Sequence, residues 1–365
     1  MNAGGQRAPT ALLVSYEVPQ PGGVLRDLVA FLFLPPSTRQ ANRAIFTRHD
    51  EPKPTIAVDE RLHQLLSFSV MAEIREPGGT FAVAEARGVD PARPAEDGAS
   101  LRAALARHGV LCLRMARALE EDELQSVAKI FGPIKDPVGR AKDGDTFRYS
   151  DPRQIIDSGF VLTEEMREQL GDLSFGGLDD QRPGLFETFH TDDTYTEAPA
   201  IATVLHAREL PPSGGGPTCF LDMRAAYQML DAAMRQRLEG LRVVYAYNNG
   251  NAFPPRRAAH GPADVLVDVT HPLVRTHPLA GTRALFLDLD RARHVEDMPI
   301  AAGRKLLQEL QDHAEARAPR CQHDWHAHDV LVWDNASVQH KAGGNFKVGE
   351  PRRFWRYMIA GARPV

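Results

Sequence analysis

The chain is 365 residues long, 43% hydrophobic and 25% charged, with a formal net charge of −5. That profile fits a soluble globular protein of one large domain or two smaller ones. The weakly acidic balance argues against a nucleic-acid binder, which would carry a clear basic excess. The most apolar run, Leu28 to Leu34 before Pro35-Pro36, falls far short of the roughly 20 residues that span a bilayer.

Residues 1–79 are punctuated by Pro and Gly and closed by the turn signal Glu76-Pro77-Gly78-Gly79. They read as an N-terminal extension without evident chemistry. The opening MNAGGQRAPT lacks the basic and apolar regions of a secretory signal. Cys112, Cys219 and Cys321 are isolated, with no Cys-x-x-Cys pair, so neither a disulfide framework nor a zinc ribbon is indicated. A cytoplasmic location is expected.

A helix is expected from Ala99 to Arg107, stopped by His108-Gly109, then a buried strand from Val110 to Leu113. A second helix runs from Glu120 to Phe131, with acidic residues in its first turn. Residues 140–187 are polar, Gly-rich and aperiodic, and read as an active-site loop or lid. Short strands follow at 201–206, 218–221, 242–247, 265–269, 284–289, 329–333 and 354–359, with helices near 223–238 and 302–314. Many short strands divided by Gly/Pro turns indicate a mainly β fold with flanking helices. The expected core is a double-sheet jelly roll, the cupin-like double-stranded β-helix.

The chemistry starts at His190-Thr191-Asp192. On an extended strand residues i and i+2 share a face, so His190 and Asp192 are expected to grip one ion while Asp193 turns away as a structural acceptor. His340, 150 positions after His190, completes two imidazoles and one carboxylate. Such a set binds Fe(II) on one face and leaves three positions open, the arrangement used for O2 activation. Leu210-Pro211-Pro212-Ser213-Gly214-Gly215-Gly216-Pro217-Thr218 is a Gly-rich turn entering a strand that begins with a hydroxyl. In Pro351-Arg352-Arg353-Phe354-Trp355-Arg356, strand alternation puts Arg352, Phe354 and Arg356 on one face. Two inward guanidiniums beside an iron site need anionic partners: a dicarboxylate cosubstrate for one, an acidic group on the substrate for the other. His323, His326 and His328 read as an exposed strand end rather than a second metal site, His271 and His277 as supporting residues, and Trp333 and Trp355 as core anchors.

With His271-Pro272-Leu273-Val274-Arg275-Thr276-His277-Pro278, Ala284-Leu285-Phe286 and Val332-Trp333-Asp334-Asn335, these segments resemble, in order and spacing, the TauD family. Its members are taurine dioxygenase-like, Fe(II)/2-oxoglutarate-dependent oxygenases. The likeness spans roughly residues 80–361 and implies a dioxygenase domain over 80–365. It implies His190, Asp192 and His340 as iron ligands, Thr218 and Arg352 as the grip on the distal carboxylate of 2-oxoglutarate, and Arg356 as the residue facing the substrate's anionic group. Fe(II), 2-oxoglutarate and O2 are the implied cofactors, with succinate and CO2 released. Halogenating relatives have Gly or Ala where this chain has Asp192, so hydroxylation is the default outcome.

The chain also departs from the pattern. The Gly-rich turn has one extra residue, and so does the segment from His340 to the arginines; phase with Arg356 and Gly361 selects Arg352 over Arg353. Lys135 stands where taurine-oxidising members have a substrate-binding histidine, and Phe186 where they have an amide. The expected substrate is therefore not taurine but another small, anionic molecule, of the kind met in natural-product biosynthesis, contacted by Lys135, Phe186, Tyr195 and Arg356. Desaturation, ring closure and oxidative cleavage diverge only after hydrogen removal and stay open. So do a non-catalytic jelly-roll binding protein and a zinc hydrolase using the same triad. Neither nucleic acid nor membrane is an expected partner, and homo-oligomerisation stays open.

Overall fold

A computed structural model describes residues 11–19, 25–33, 72–75, 78, 81–135, 156–161, 188–246, 268–343 and 346–365. The chain forms two compact units, Met1–Ser67 and Phe68–Val365. In the first, β1 (Ala11–Pro19) and β2 (Leu25–Phe33) make an antiparallel hairpin, in register from Ala11↔Phe33 to Pro19↔Leu25. The second unit begins before the expected boundary at 79/80, because β3 (Glu73–Arg75) pairs with β4 (Ala84–Arg87).

Next come α1 (Gly98–His108), β5 (Val110–Arg114), α2 (Glu121–Lys129) and β6 (Ile156–Val161). Gly109, at φ 77°, closes α1 by donating its N–H to the Leu105 carbonyl, a left-handed cap that costs a glycine little. The strand β6 corrects the reading of 140–187 as aperiodic loop. Its partner is β17 (Pro351–Ile359), from Ile156↔Arg356 to Val161↔Pro351. An edge strand takes its register from its neighbour and needs no strong pattern of its own. The remainder of 136–187, Phe186 included, lies outside the described residues.

The other elements are β7 (Ala202–Glu209), β8 (Thr218–Asp222), α3 (Met223–Gln228), α4 (Ala232–Leu238), β9 (Arg242–Tyr245), β10 (Val269–Pro272), β11 (Val274–Thr276), β12 (Arg283–Leu285), β13 (Ala292–Val295), α5 (Ile300–Arg317), β14 (Arg320–His323), β15 (Val330–Asp334) and β16 (Val338–Ala342). The single helix expected over 223–238 is two, since Asp231 caps a fresh start by accepting the Met234 N–H at 2.7 Å.

A seven-stranded sheet, in the order β3-β4-β5-β15-β7-β17-β6, faces a three-stranded sheet, β14-β8-β16. Period-two alternation builds every layer. In β5 and β15, Val110, Cys112, Leu331 and Trp333 pack between the sheets against Phe220 and Val338. The alternate residues Leu111, Leu113, Val330 and Val332 pack on the opposite side with Leu101, Leu105, Leu124 and Val127 of α1 and α2. Cys219 and Leu221 of β8 pack outward with Leu306, Leu307 and Leu310 of α5. Strands buried on both faces read as continuous apolar runs, which is why Val110–Leu113 and Val330–Trp333 show no polar alternation. The fold is a jelly roll with flanking helices. Trp333 is a buried core anchor, while Trp355 is half-buried under the Arg208 guanidinium, 3.6 Å from its ring. The three cysteines are buried and unpaired. Among the described residues no helix is long and apolar enough to cross a membrane.

Candidate active site

The double bridge between His190 and His340 closes the site. The His190 N–H donates to the His340 carbonyl at 3.0 Å, and the His340 N–H returns a bond to the His190 carbonyl at 2.9 Å. This antiparallel pair sets the two imidazoles side by side, ring centroids 4.3 Å apart. The ligand atoms of His190, Asp192 and His340 all lie within 4.8 Å of one another. Strand alternation does not account for that geometry, contrary to expectation. The chain turns at Asp192, and Asp193 adopts φ 66°, a left-handed conformation that Asp tolerates better than most residues.

The donor set suits a divalent cation. His190 Nδ1 lies 3.0 Å from the Thr188 carbonyl; a carbonyl only accepts, so Nδ1 carries the proton and Nε2 the lone pair that ligates metal. Burial alone would raise the Asp192 carboxyl. Its neighbours His340, Arg356 and His190, with the Thr203 hydroxyl, outweigh it and lower the group to about 2. Trp333 backs the His340 ring at 4.6 Å between centroids. The turn leading into β16 is held by Asp334, which accepts from Ser337 Oγ at 2.7 Å and from His277 Nε2 at 2.8 Å. His277 Nδ1 in turn accepts the Leu279 and Ala280 N–H groups, so its proton sits on Nε2. The supporting role expected of His277 is thus a fixed-tautomer clamp.

On the other flank, Arg352 is buried and its guanidinium stacks over Phe354, 4.6 Å from the ring centre, so the two share the inner face as expected. Its Nε donates to the Gly216 carbonyl at 3.0 Å and its Nη2 lies 3.4 Å from Thr218 Oγ1. At Gly216 the φ of 62° favours glycine, and a Cβ there would lie only 2.9 Å from Arg352 Cδ and Nε. Trp325 Nε1 donates to Thr218 Oγ1 at 3.1 Å. A hydroxyl that accepts from Trp325 keeps its own proton for another acceptor. Sequence reasoning passed over Trp325, because 107 residues separate it from Thr218 and no local pattern marks the contact. Arg353 is exposed and pairs with Glu209 at 3.2 Å.

The candidate substrate residues divide. Arg356 lies close enough to Asp192 for its charge to lower that carboxyl. Tyr195 is half-buried beside Asp193, with the Arg291 guanidinium 5.2 Å from its ring centre. Lys135 does not fit its expected role. Its ammonium donates to Asp193 Oδ2, to Thr196 Oγ1 at 2.9 Å and to the Ala198 carbonyl at 2.6 Å. An ammonium has three donors, and all three are engaged in holding the turn that carries Asp192. The acceptor role expected of Asp193 matches this pairing.

The three histidines at 323–328 do not assemble a metal site. His326 is largely exposed and His328 sits in a turn at φ 70°. Instead Cys112, His323 and Asp329 converge, their ligand atoms within 4.8 Å. Asp329 Oδ2 is already filled by Arg114 at 2.6 Å, His323 at 3.0 Å and the His326 N–H at 2.9 Å. A guanidinium so close repels a cation, so the cluster reads as a buried ion-pair network.

A jelly roll carrying two imidazoles and a carboxylate at one point, with a buried arginine and a hydroxyl beside them, defines the non-haem iron oxygenase class. The model of the taurine catabolism dioxygenase TauD, TfdA family matches residues 73–358, and the chain belongs to that family. It is similar to the alpha-ketoglutarate-dependent 2,4-dichlorophenoxyacetate dioxygenase of Cupriavidus pinatubonensis, at 32% identity over 65% of this chain and 80% of that protein. It is also similar to the (S)-phenoxypropionate/alpha-ketoglutarate-dioxygenase of Delftia acidovorans, at 31% identity over 78% and 94%. The crystal structure of a taurine dioxygenase from Burkholderia xenovorans superposes with a TM-score of 0.61 at 26% identity, covering 80% of this chain and 91% of that one. The protein is an Fe(II)- and 2-oxoglutarate-dependent dioxygenase that uses O2.

Proposed function

We propose that the enzyme hydroxylates a small molecule bearing a carboxylate or similar anionic group, with His190, Asp192 and His340 as the iron ligands. Thr218 and Arg352 receive the distal carboxylate of 2-oxoglutarate, and Arg356 receives the anion of the substrate. When bound, iron and 2-oxoglutarate supply O2 activation coupled to decarboxylation, yielding succinate and CO2. The chain's own residues hold position, supply charge and exclude water.

One observation carries the substrate reading. Arg352 and Arg356 stand four residues apart on β17, the first gathered against Thr218 and Gly216, the second close to Asp192. Two guanidiniums four residues apart on one strand match two separate anions, and an arginine fork holds a carboxylate in two parallel bonds. The phenoxy acids named for two of the relatives are of this class.

Anaerobic Fe(II) with 2-oxoglutarate is expected to give a weak visible charge-transfer band, and absence of both band and succinate release overturns the ligand assignment. Against a panel of small acids and their neutral amides, succinate release is expected to follow the acids. Arg356→Gln is expected to raise KM for the acid about tenfold or more, the loss of one charge-assisted pair. Equal turnover of acid and amide by the wild type overturns the anionic-substrate reading.

A further inference from the structure

The Asp192 carboxylate is held by a chain of two side chains that lie on neither flank discussed above. Thr203 Oγ1 and Asp192 Oδ2 are 2.6 Å apart, and Asn335 Nδ2 lies 3.0 Å from the same hydroxyl. The proton direction follows from chemistry. An ionised carboxylate has nothing to donate, so the hydroxyl proton belongs to the Thr203–Asp192 bond. The hydroxyl oxygen must then accept from Asn335, which fixes the amide with Nδ2 toward Thr203. Thr203 and Asn335 are fully enclosed, and Asn335 Oδ1 has no partner among the described residues.

The two side chains are carried on hydrogen-bonded backbone. Thr203 pairs with Trp333 on β15 and with Met358 on β17, in the middle of the large sheet. Asn335 is tied by its own N–H to the Ile201 carbonyl at 2.9 Å. Asp192, by contrast, sits in a turn rather than a strand, so its backbone alone does not fix the carboxylate.

We propose that Thr203, aligned by Asn335, is a positioning residue that fixes the orientation of the Asp192 carboxylate toward the metal. The inference rests on the assignment of Asp192 as a ligand. Its role is to transfer the precision of the central sheet to a carboxylate carried on a turn.

Mn(II) binding to the metal-stripped full-length protein, followed by loss of the free-ion EPR signal, tests it without requiring a substrate. Thr203→Val keeps the shape and removes the donor; it is expected to weaken Mn(II) about 10- to 100-fold, the usual range for partners of metal ligands. Thr203→Ser restores the hydroxyl and is expected to lie within about threefold of wild type, a rescue that a packing role would not produce. Asn335→Ala, which releases the hydroxyl, is expected to fall between the two; it reads the same relay if the valine variant fails to fold. Wild-type affinity in Thr203→Val or Asn335→Ala overturns the relay. Asp192→Ala separates the two readings: if it too binds Mn(II) normally, the ligand assignment fails, and if it alone loses binding, only the relay fails.

Discussion

Arg352 is confined by three contacts at once: the Gly216 carbonyl, the Thr218 hydroxyl and the Phe354 ring. Lysine offers a point charge on a flexible stem in place of a planar fork, so Arg352→Lys preserves charge and loses the two-point grip. KM for 2-oxoglutarate is expected to rise at least about tenfold, a loss of about 1.4 kcal/mol, with Mn(II) affinity unchanged. An unchanged KM for 2-oxoglutarate removes Arg352 from the cosubstrate site. Trp325→Phe is a gentler probe of the same flank. It keeps an aromatic ring against Phe354, 4.5 Å between centroids, and deletes only the donation to Thr218. One hydrogen bond is worth about 1 kcal/mol, so the expected rise in KM for 2-oxoglutarate is roughly fivefold. A matching loss of metal affinity would show instead that Trp325 supports the whole site.

At the scale of elements, the turn at residues 191–198 is built by a clamp rather than by strand geometry. Lys135 is tied at its backbone N–H to the Met358 carbonyl at 2.8 Å, and its ammonium gathers Asp193, Thr196 and the Ala198 carbonyl. Removing one partner of a buried ion pair strands the other, at about 3–5 kcal/mol. Lys135→Met is therefore expected to lower stability to chemical denaturation by about that amount, and adding Asp193→Asn is expected to recover part of it, since Asn also tolerates the left-handed turn. Strict additivity of the two changes would mean that the pair is not coupled. The same turn shows what was legible in the chain. His190, Asp192 and His340, which the fold brings together, were visible as one group because residue types and order carry that signal. The strands were visible because each alternates between two buried layers, as Val110 and Leu111 do. Lys135, Trp325 and Thr203 were misread or passed over because their meaning lies in contacts made across 58, 107 and 132 residues, which no local periodicity encodes. The edge strand β6 was hidden for the same reason, its pairing being specified by β17.

Across the whole molecule, two enclosed histidines tie distant segments while neutral, and they set an acid limit on stability. His206 accepts the Leu119 N–H at Nε2, 3.1 Å, and gives its Nδ1 proton to the Asp329 carbonyl, 3.1 Å. His271 Nε2 donates to the Thr196 carbonyl at 2.8 Å, joining β10 to the Asp192 turn. Burial lowers each imidazole from 6.5 to about 4. The unfolded chain then binds more protons than the folded one between those values, so stability rises with pH across that window. It is complete above about 6.5 and is lost as pH falls toward 4, by about 3 kcal/mol for each residue. Asp288 works in the opposite direction. Burial raises its carboxyl from 3.8 to about 6, so the folded state holds the extra proton, and acidification below 6 favours folding by a comparable amount. Asp193, whose carboxyl burial also raises, acts with Asp288, so the two imidazoles and the two carboxyls pull in opposite directions as pH falls from 6.5 to 4. Urea unfolding of the metal-stripped wild type and variants at pH 8, 6.5, 5 and 4 separates the two contributions. His206→Gln is expected to lower stability at pH 8 but to flatten the dependence on pH, while Asp288→Asn is expected to steepen it. If His206→Gln and His271→Gln leave the slope unchanged, the acid sensitivity originates in groups other than these two imidazoles.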